Sequence, residues 1–207
     1  VALVFSALPH GASGEWVARA HAAGTKVVDL STDLRPGNQR PATLTTLDAP
    51  YGMPELGAAT RAVVRAASVV ANPGCYPTAT LLALAPLLRA GLVAPDATIV
   101  VDAASGVSGA GNSPRADLLY GEVAEDFRAY GTGNAHRHLQ EMSATVATLG
   151  GGAELLFTPH LLPVARGILA TITVPLVAPL ADAMAPYRAA YALEPFIELA
   201  DAPPSLK

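Results

Sequence analysis

The chain of 207 residues is long enough for one large domain or two small ones, and with 51% hydrophobic and 14% charged residues it reads as compact and globular, not disordered. Its 13 Lys and Arg against 17 Asp and Glu leave a net charge of −4, which excludes a broad positive field for nucleic acid or an anionic membrane. An anionic small molecule would have to be held locally, by a few arginines and backbone amides. The longest apolar run, Val164 to Val177, is interrupted by Arg166, Gly167 and Pro175 and falls short of the roughly 18 residues a membrane span needs. A single cysteine and the lack of a recognisable signal peptide suit a reducing cytoplasm. The chain starts at Val1 inside an apolar run and ends at Lys207 after Pro203-Pro204-Ser205, so both ends read as cut.

In chain order, residues 1–5 are expected to form a strand buried on both faces of a parallel sheet. The turn Leu8-Pro9-His10-Gly11 follows, then a helix over 14–23 capped by Ser13 and stopped by Gly24. Residues 26–30 form the next strand, which completes a parallel crossover unit. A proline-punctuated stretch over 32–57 leads to a helix over 58–67 and a short strand over 68–71. The segment Asn72-Pro73-Gly74-Cys75-Tyr76-Pro77-Thr78 then opens an Ala/Leu-rich helix ending near Leu88. A central strand over 98–103 precedes a glycine-rich segment and an irregular region reaching Asn134. A helix over 136–149, strands over 155–158 and 168–174, and a helix over 181–192 finish the chain. Two strands with little helix between them point to an antiparallel or mixed sheet, and a domain change is placed near Asn72.

Cys75 stands where a helix begins, and Pro77 falls in its first turn, where proline is tolerated. Helix N-termini stabilise thiolates, the nucleophilic form of cysteine. Gly74 would leave room for a substrate. A cysteine so placed also fits a buried structural thiol. His136 and His138 flank Arg137, and His138 shares a helical face with Glu141; either histidine could exchange protons near neutral pH, or the stretch is a solvated helix start. Ser105 to Gly111 follows a central strand, with serines and glycines that could cradle a phosphate, though without the lysine of a P-loop. It also fits a mobile surface loop. Arg35, beyond the carboxyl end of a parallel strand, and Arg166 are candidate anion partners or surface ion pairs. No paired Cys-x-x-Cys or His-x-x-x-His spacing supports a metal site, and none is expected.

Taken together these segments resemble the N-acetyl-γ-glutamyl-phosphate reductase family. The resemblance rests on Ala7–Gly11, Asp29–Arg35, Tyr51–Leu56, the cysteine signature from Val70 through Pro86, Ser105–Gly111, Ala129-Tyr130, His136-Arg137-His138, Phe157–His160 and Arg166–Thr171. It implies an α/β architecture: a partial Rossmann-type parallel sheet over 1–71, then a C-terminally incomplete α+β catalytic domain over 72–207, like that of glyceraldehyde-phosphate dehydrogenases. It further implies that Cys75 attacks the acyl phosphate of N-acetyl-γ-glutamyl phosphate and expels phosphate. NADPH then reduces the thioacyl enzyme to N-acetylglutamate semialdehyde, in arginine biosynthesis, with His136 as acid–base partner.

By the same resemblance Arg35, Ser105, Gly106, Ser108, Gly109, His138, Glu141 and Arg166 surround the substrate, Leu8, Pro9, His10 and Gly11 line NADP(H), and the protein is a homo-oligomer. Gln140 stands where the family has proline, which would loosen the helix start. The family's glycine-rich dinucleotide fingerprint does not precede Val1, its closing segment does not follow Lys207, and a chain so cut is expected to bind NADPH poorly. Two other readings stay open: a related acyl-phosphate reductase of lysine biosynthesis, and a non-catalytic fragment with a structural thiol.

Overall fold

The structure, a computed structural model, describes residues 1–111 and 113–206. It contains two sheets. The first holds β1 (Leu3–Ser6), β2 (Lys26–Asp29) and β3 (Val69–Ala71) in that order, all parallel. Between β1 and β2 runs α1 (Ser13–Ala22), and α2 (Ala58–Ala66) precedes β3. Val17 of α1 meets Val27, Val69 and Ala71 of the sheet and Leu34 and Leu44 of the intervening loop in a small apolar core.

Two local expectations fail here. Strand β1 is not buried on both faces: Leu3 is 44% and Phe5 66% exposed, so its apolar run is not matched by packing on that side. Ser13 does not cap α1 but lies within its first turn. Its hydroxyl donates to the Asp29 carboxylate at 2.6 Å and shares a 2.6 Å bond with the Ser6 hydroxyl, so a buried acceptor has claimed it.

The second sheet is mixed, in the order β5-β6-β4-β7. Its elements are α3 (Cys75–Arg89), β4 (Thr98–Gly106), α4 (Tyr120–Val123), β5 (Arg128–Ala129), α5 (His138–Thr148), β6 (Glu154–Leu162) and β7 (Ile168–Thr173), followed by α6 (Ala185–Tyr191). Consecutive strands β6 and β7 do not pair; β4 lies between them, parallel to β6 and antiparallel to β7. Alternation decides the faces. Ile99, Val101, Ala103, Leu155 and Phe157 point to the main core with Leu81, Leu84 and Leu88 of α3 and Met142 and Val146 of α5. Met53 and Leu56, from ahead of β3, also pack into this second core. On the opposite face, Leu156 and Leu169 are exposed. The short strand β5 went unforeseen, since two residues carry no periodicity.

Helix α3 holds its shape despite two prolines. Pro77 sits in the first turn, where amide donors have no intrahelical acceptor anyway. Pro86 lies inside, where the missing N–H leaves the Leu82 carbonyl without its helical donor. Tyr191 of α6 supplies one: its hydroxyl donates to that carbonyl at 2.6 Å, and Tyr187 donates to the neighbouring Ala83 carbonyl at 2.9 Å. No helix among the described residues is long and apolar enough to cross a membrane.

Candidate active site around the start of helix α3

Cys75 is the first residue of α3 and is exposed. Gly74 before it has extended backbone, and its carbonyl accepts both the amide (2.9 Å) and the hydroxyl (2.8 Å) of Thr78, which closes the first turn. The Gly74 amide points the other way and donates to Glu141 Oε1 at 2.9 Å. A Cβ on residue 74 would lie 2.7 Å from His138 Nε2 and 2.9 Å from Arg35 Nη1. The space left by this glycine is therefore filled by protein side chains, which corrects the expectation that it admits substrate.

The fold gathers Arg35, His138 and Glu141, each expected to touch substrate, around Gly74. Arg35 is buried, and its guanidinium is taken up internally: Nε donates to the Asn72 carbonyl at 2.8 Å, Nη2 to the Leu30 carbonyl at 2.7 Å, and Nη1 faces Glu141 Oε2 at 3.4 Å. It ties the end of β2 to the segment before the cysteine. Glu141, 1% exposed, also accepts the Tyr51 hydroxyl at 2.7 Å. Burial, with the Glu141 charge, pushes the Tyr51 phenol far up, so it remains a donor. His138 is buried, and its Nδ1 has no hydrogen-bond partner among the described residues; desolvation, aided by His136 and the nearby arginines, lowers its pKa to about 3.

A cleft of about 230 Å³ is lined by His136, Tyr130, Ser105, Gly106 and Gly109 among others, and Cys75 is not part of that lining. Tyr76 links it to the cysteine. Its ring meets that of His136 edge-on at 5.5 Å, and its hydroxyl shares a 2.7 Å bond with Tyr130. Burial raises the Tyr130 phenol. The Tyr76 hydrogen bond and Arg137 oppose that rise, while the charge of Cys75 adds to it. His136 is half-buried, and desolvation followed by the Arg137 charge lowers its pKa, which keeps the ring neutral at pH 7. Its Nδ1 accepts the His138 amide at 3.2 Å, which selects the neutral tautomer with the proton on Nε2.

The loop at 105–109, expected as a phosphate cradle, has three of its backbone amides engaged within the protein. The amides of Gly106, Val107 and Ser108 donate to the carbonyls of Gly167, Val164 and Ala165, each at 3.0 Å, so the β6–β7 connection has taken up donors that an anion would need. Gly106 is required because a Cβ there would meet the Arg166 backbone at 2.7 Å. Ser108 and the Arg166 side chain are not part of the cleft lining. Positive charge enters instead from Arg115, Arg128 and Arg137. Arg115 is paired with Asp117 and Arg128 with Asp126, whereas Arg137 is exposed and has no ion-pair partner among the described residues. Its place between two histidines was the only signal for it in the sequence. Tyr51 and Tyr130 carried none beyond their motifs.

Leu8 to Gly11 form an exposed turn beyond the carboxyl end of β1. Asp33 accepts the Gly11 amide with both oxygens, at 2.9 and 3.1 Å, and His10 Nδ1 accepts the Thr32 amide at 3.0 Å, so the turn is fastened to the loop after β2. No group of three or more His, Cys, Asp or Glu side chains able to hold a metal occurs among the described residues.

A family model described as the semialdehyde dehydrogenase dimerisation domain matches residues 75–207, and one described as the semialdehyde dehydrogenase NAD binding domain matches residues 1–63. The N-acetyl-gamma-glutamyl-phosphate reductase of Geobacter sp. (strain M21) is 44% identical over 96% of this chain and 60% of its own length. That of Geotalea daltonii is 48% identical over 82% of this chain and 51% of its own. The chain thus spans at most about three-fifths of these relatives. Among solved structures, aspartate semialdehyde dehydrogenase II from Vibrio cholerae, complexed with ASA, superposes with a TM-score of 0.64 at 20% identity, covering 87% of this chain and 57% of that one. A probable aspartate-semialdehyde dehydrogenase from Pseudomonas aeruginosa gives 0.59 at 25% identity, with the same coverage. The structural likeness is one of fold.

Proposed function

Because the chain belongs to the semialdehyde dehydrogenase family, we propose that it is the nucleophile-bearing portion of an N-acetyl-γ-glutamyl-phosphate reductase. The observation that carries this reading is an exposed cysteine opening a helix, next to Tyr76 whose ring meets His136 of the cleft, in a chain whose relatives bear that name. Residues 1–71 would serve the dinucleotide and residues 72–207 the acyl chemistry.

Cys75, as its thiolate, adds to the acyl phosphate carbon; the C–O bond to phosphate breaks and a thioester forms. Arg137, the cleft's unpaired cation, holds an anionic end of the substrate. In place of the acid–base role the resemblance implies, His136 would offer Nε2–H as a hydrogen-bond donor to the oxygen that gains negative charge. This suffices because sulfur enters and leaves as thiolate, and phosphate takes its own proton from water. The Leu8–Gly11 turn fits the nicotinamide side of NADP(H), being open and at the carboxyl edge of a parallel sheet, although its Gly11 amide is already taken by Asp33. Bound there, the cofactor would supply the hydride that reduces the thioester to the semialdehyde. The open sheet face carrying Leu156 and Leu169 would seat a second copy of the chain.

The test is intact-mass analysis after incubation with N-acetyl-γ-glutamyl phosphate, with Cys75→Ser as control. An acyl adduct confined to the parent chain is expected. A folded parent without adduct refutes the proposal.

A further inference from the structure

Nothing in the chemistry above uses Tyr51, yet its hydroxyl ends a chain of contacts that begins one residue before the nucleophile. Tyr51 is itself well held. It bridges to Ala71 at the end of β3, and the Gly52 amide next to it donates to the Ala71 carbonyl at 2.8 Å. A Cβ at Gly52 would meet Val70 Cγ1 at 2.7 Å, so this backbone lies directly against the strand. From that fixed base the phenol reaches Glu141 Oε1 at 2.7 Å, the same oxygen that accepts the Gly74 amide at 2.9 Å.

The other carboxylate oxygen faces Arg35 at 3.4 Å, a long contact for an ion pair buried this deeply. The arrangement is a competition. Left to itself, the carboxylate would turn toward the guanidinium and take it with both oxygens, withdrawing Oε1 from the Gly74 amide. The Tyr51 hydroxyl opposes that rotation and keeps Oε1 on the amide. We infer that Tyr51 is a positioning residue for the nucleophile: by fixing the rotation of Glu141 it fixes the Gly74 peptide, and with it the direction in which α3 presents Cys75. The inference rests on Cys75 being the reactive group, but not on which acyl substrate it takes.

Tyr51→Phe removes one hydroxyl and keeps the ring in the core. Tyr187→Phe is the control, since it also deletes a half-buried hydroxyl, one bonded to α3 at the Ala83 carbonyl, well beyond the first turn. Both are compared with the parent for the alkylation rate of Cys75 by iodoacetamide, which needs neither acyl substrate nor cofactor. Failure here is thereby separated from failure of the proposed activity. Tyr51→Phe should slow alkylation about tenfold, the scale that one charge-assisted hydrogen bond sets on a local equilibrium, and Tyr187→Phe should not. Hydrogen exchange at the Gly74 amide, read by NMR, should quicken in Tyr51→Phe alone. Parental alkylation and exchange in Tyr51→Phe, or equal slowing of alkylation in both variants, overturns the inference.

Discussion

Acid should weaken this fold largely through one side chain, His138. It is 5% exposed, its Nδ1 has no hydrogen-bond partner among the described residues, and burial together with His136, Arg137, Arg35 and His10 holds its pKa at about 3. In the unfolded chain the same imidazole titrates near its ordinary value of about 6.5. The unfolded state therefore binds a proton that the folded state refuses, and stability is whole above pH 6.5 and drains as pH falls toward 3. At about pH 5 the loss amounts to about 2 kcal/mol, and it approaches about 5 kcal/mol only near about pH 3. His136 and His10, also lowered mainly by burial, push in the same direction, so a comparison must isolate His138. His138→Leu does so, replacing the ring with an apolar side chain of similar bulk. Urea unfolding of parent and variant at about pH 7.5 and about pH 5 should show the parent losing about 2 kcal/mol more than the variant over that interval. Equal losses in the two chains would refute the argument that His138 is held neutral by burial.

Gly74→Ala should lower stability by about 2 kcal/mol, read as a fall in Tm, because its methyl would lie 2.7 Å from His138 and 2.9 Å from Arg35 in a cage with no slack. Arg35→Met leaves the buried Glu141 carboxylate without its counter-charge and the Asn72 and Leu30 carbonyls without their donor. Denaturant unfolding should show a loss of about 3 kcal/mol or more. Arg137→Ala should slow acylation by N-acetyl-γ-glutamyl phosphate about tenfold at low substrate, while thermal unfolding stays parental because the side chain is exposed and unpaired. Acylation at the parental rate would remove Arg137 from the substrate site.

The parallel crossover, the cysteine at a helix start and the mixed second sheet were legible in the sequence, because each leaves a local mark: apolar runs, a glycine stop, a proline in a first turn. What the sequence could not show was which polar groups use each other. Arg35, His138 and Glu141 read as ligand contacts because they are polar and sit in distinctive motifs. They turned out to surround Gly74, since residues more than a hundred positions apart meet only once both sheets have formed. The 105–109 loop has the composition of an anion cradle, but whether its amides are free depends on the chain at 164–167, which crosses above it. Insertion of β4 between β6 and β7 has the same origin, as pairing order is set by the whole sheet and not by proximity in sequence.

The bond from Tyr191 to the Leu82 carbonyl has a consequence for how this sequence can change over time. Proline at 86 is tolerable because a phenol over a hundred positions downstream stands in for the amide it lacks. Any chain that regains an ordinary amide at 86 releases Tyr191 from that duty, and any chain that loses the phenol while keeping Pro86 leaves a half-buried carbonyl without a donor. The dependence runs one way: chains that keep Pro86 should keep a hydrogen-bond donor at 191, whereas chains without that proline are free at both positions, although neither belongs to the chemistry that the helix carries at its other end.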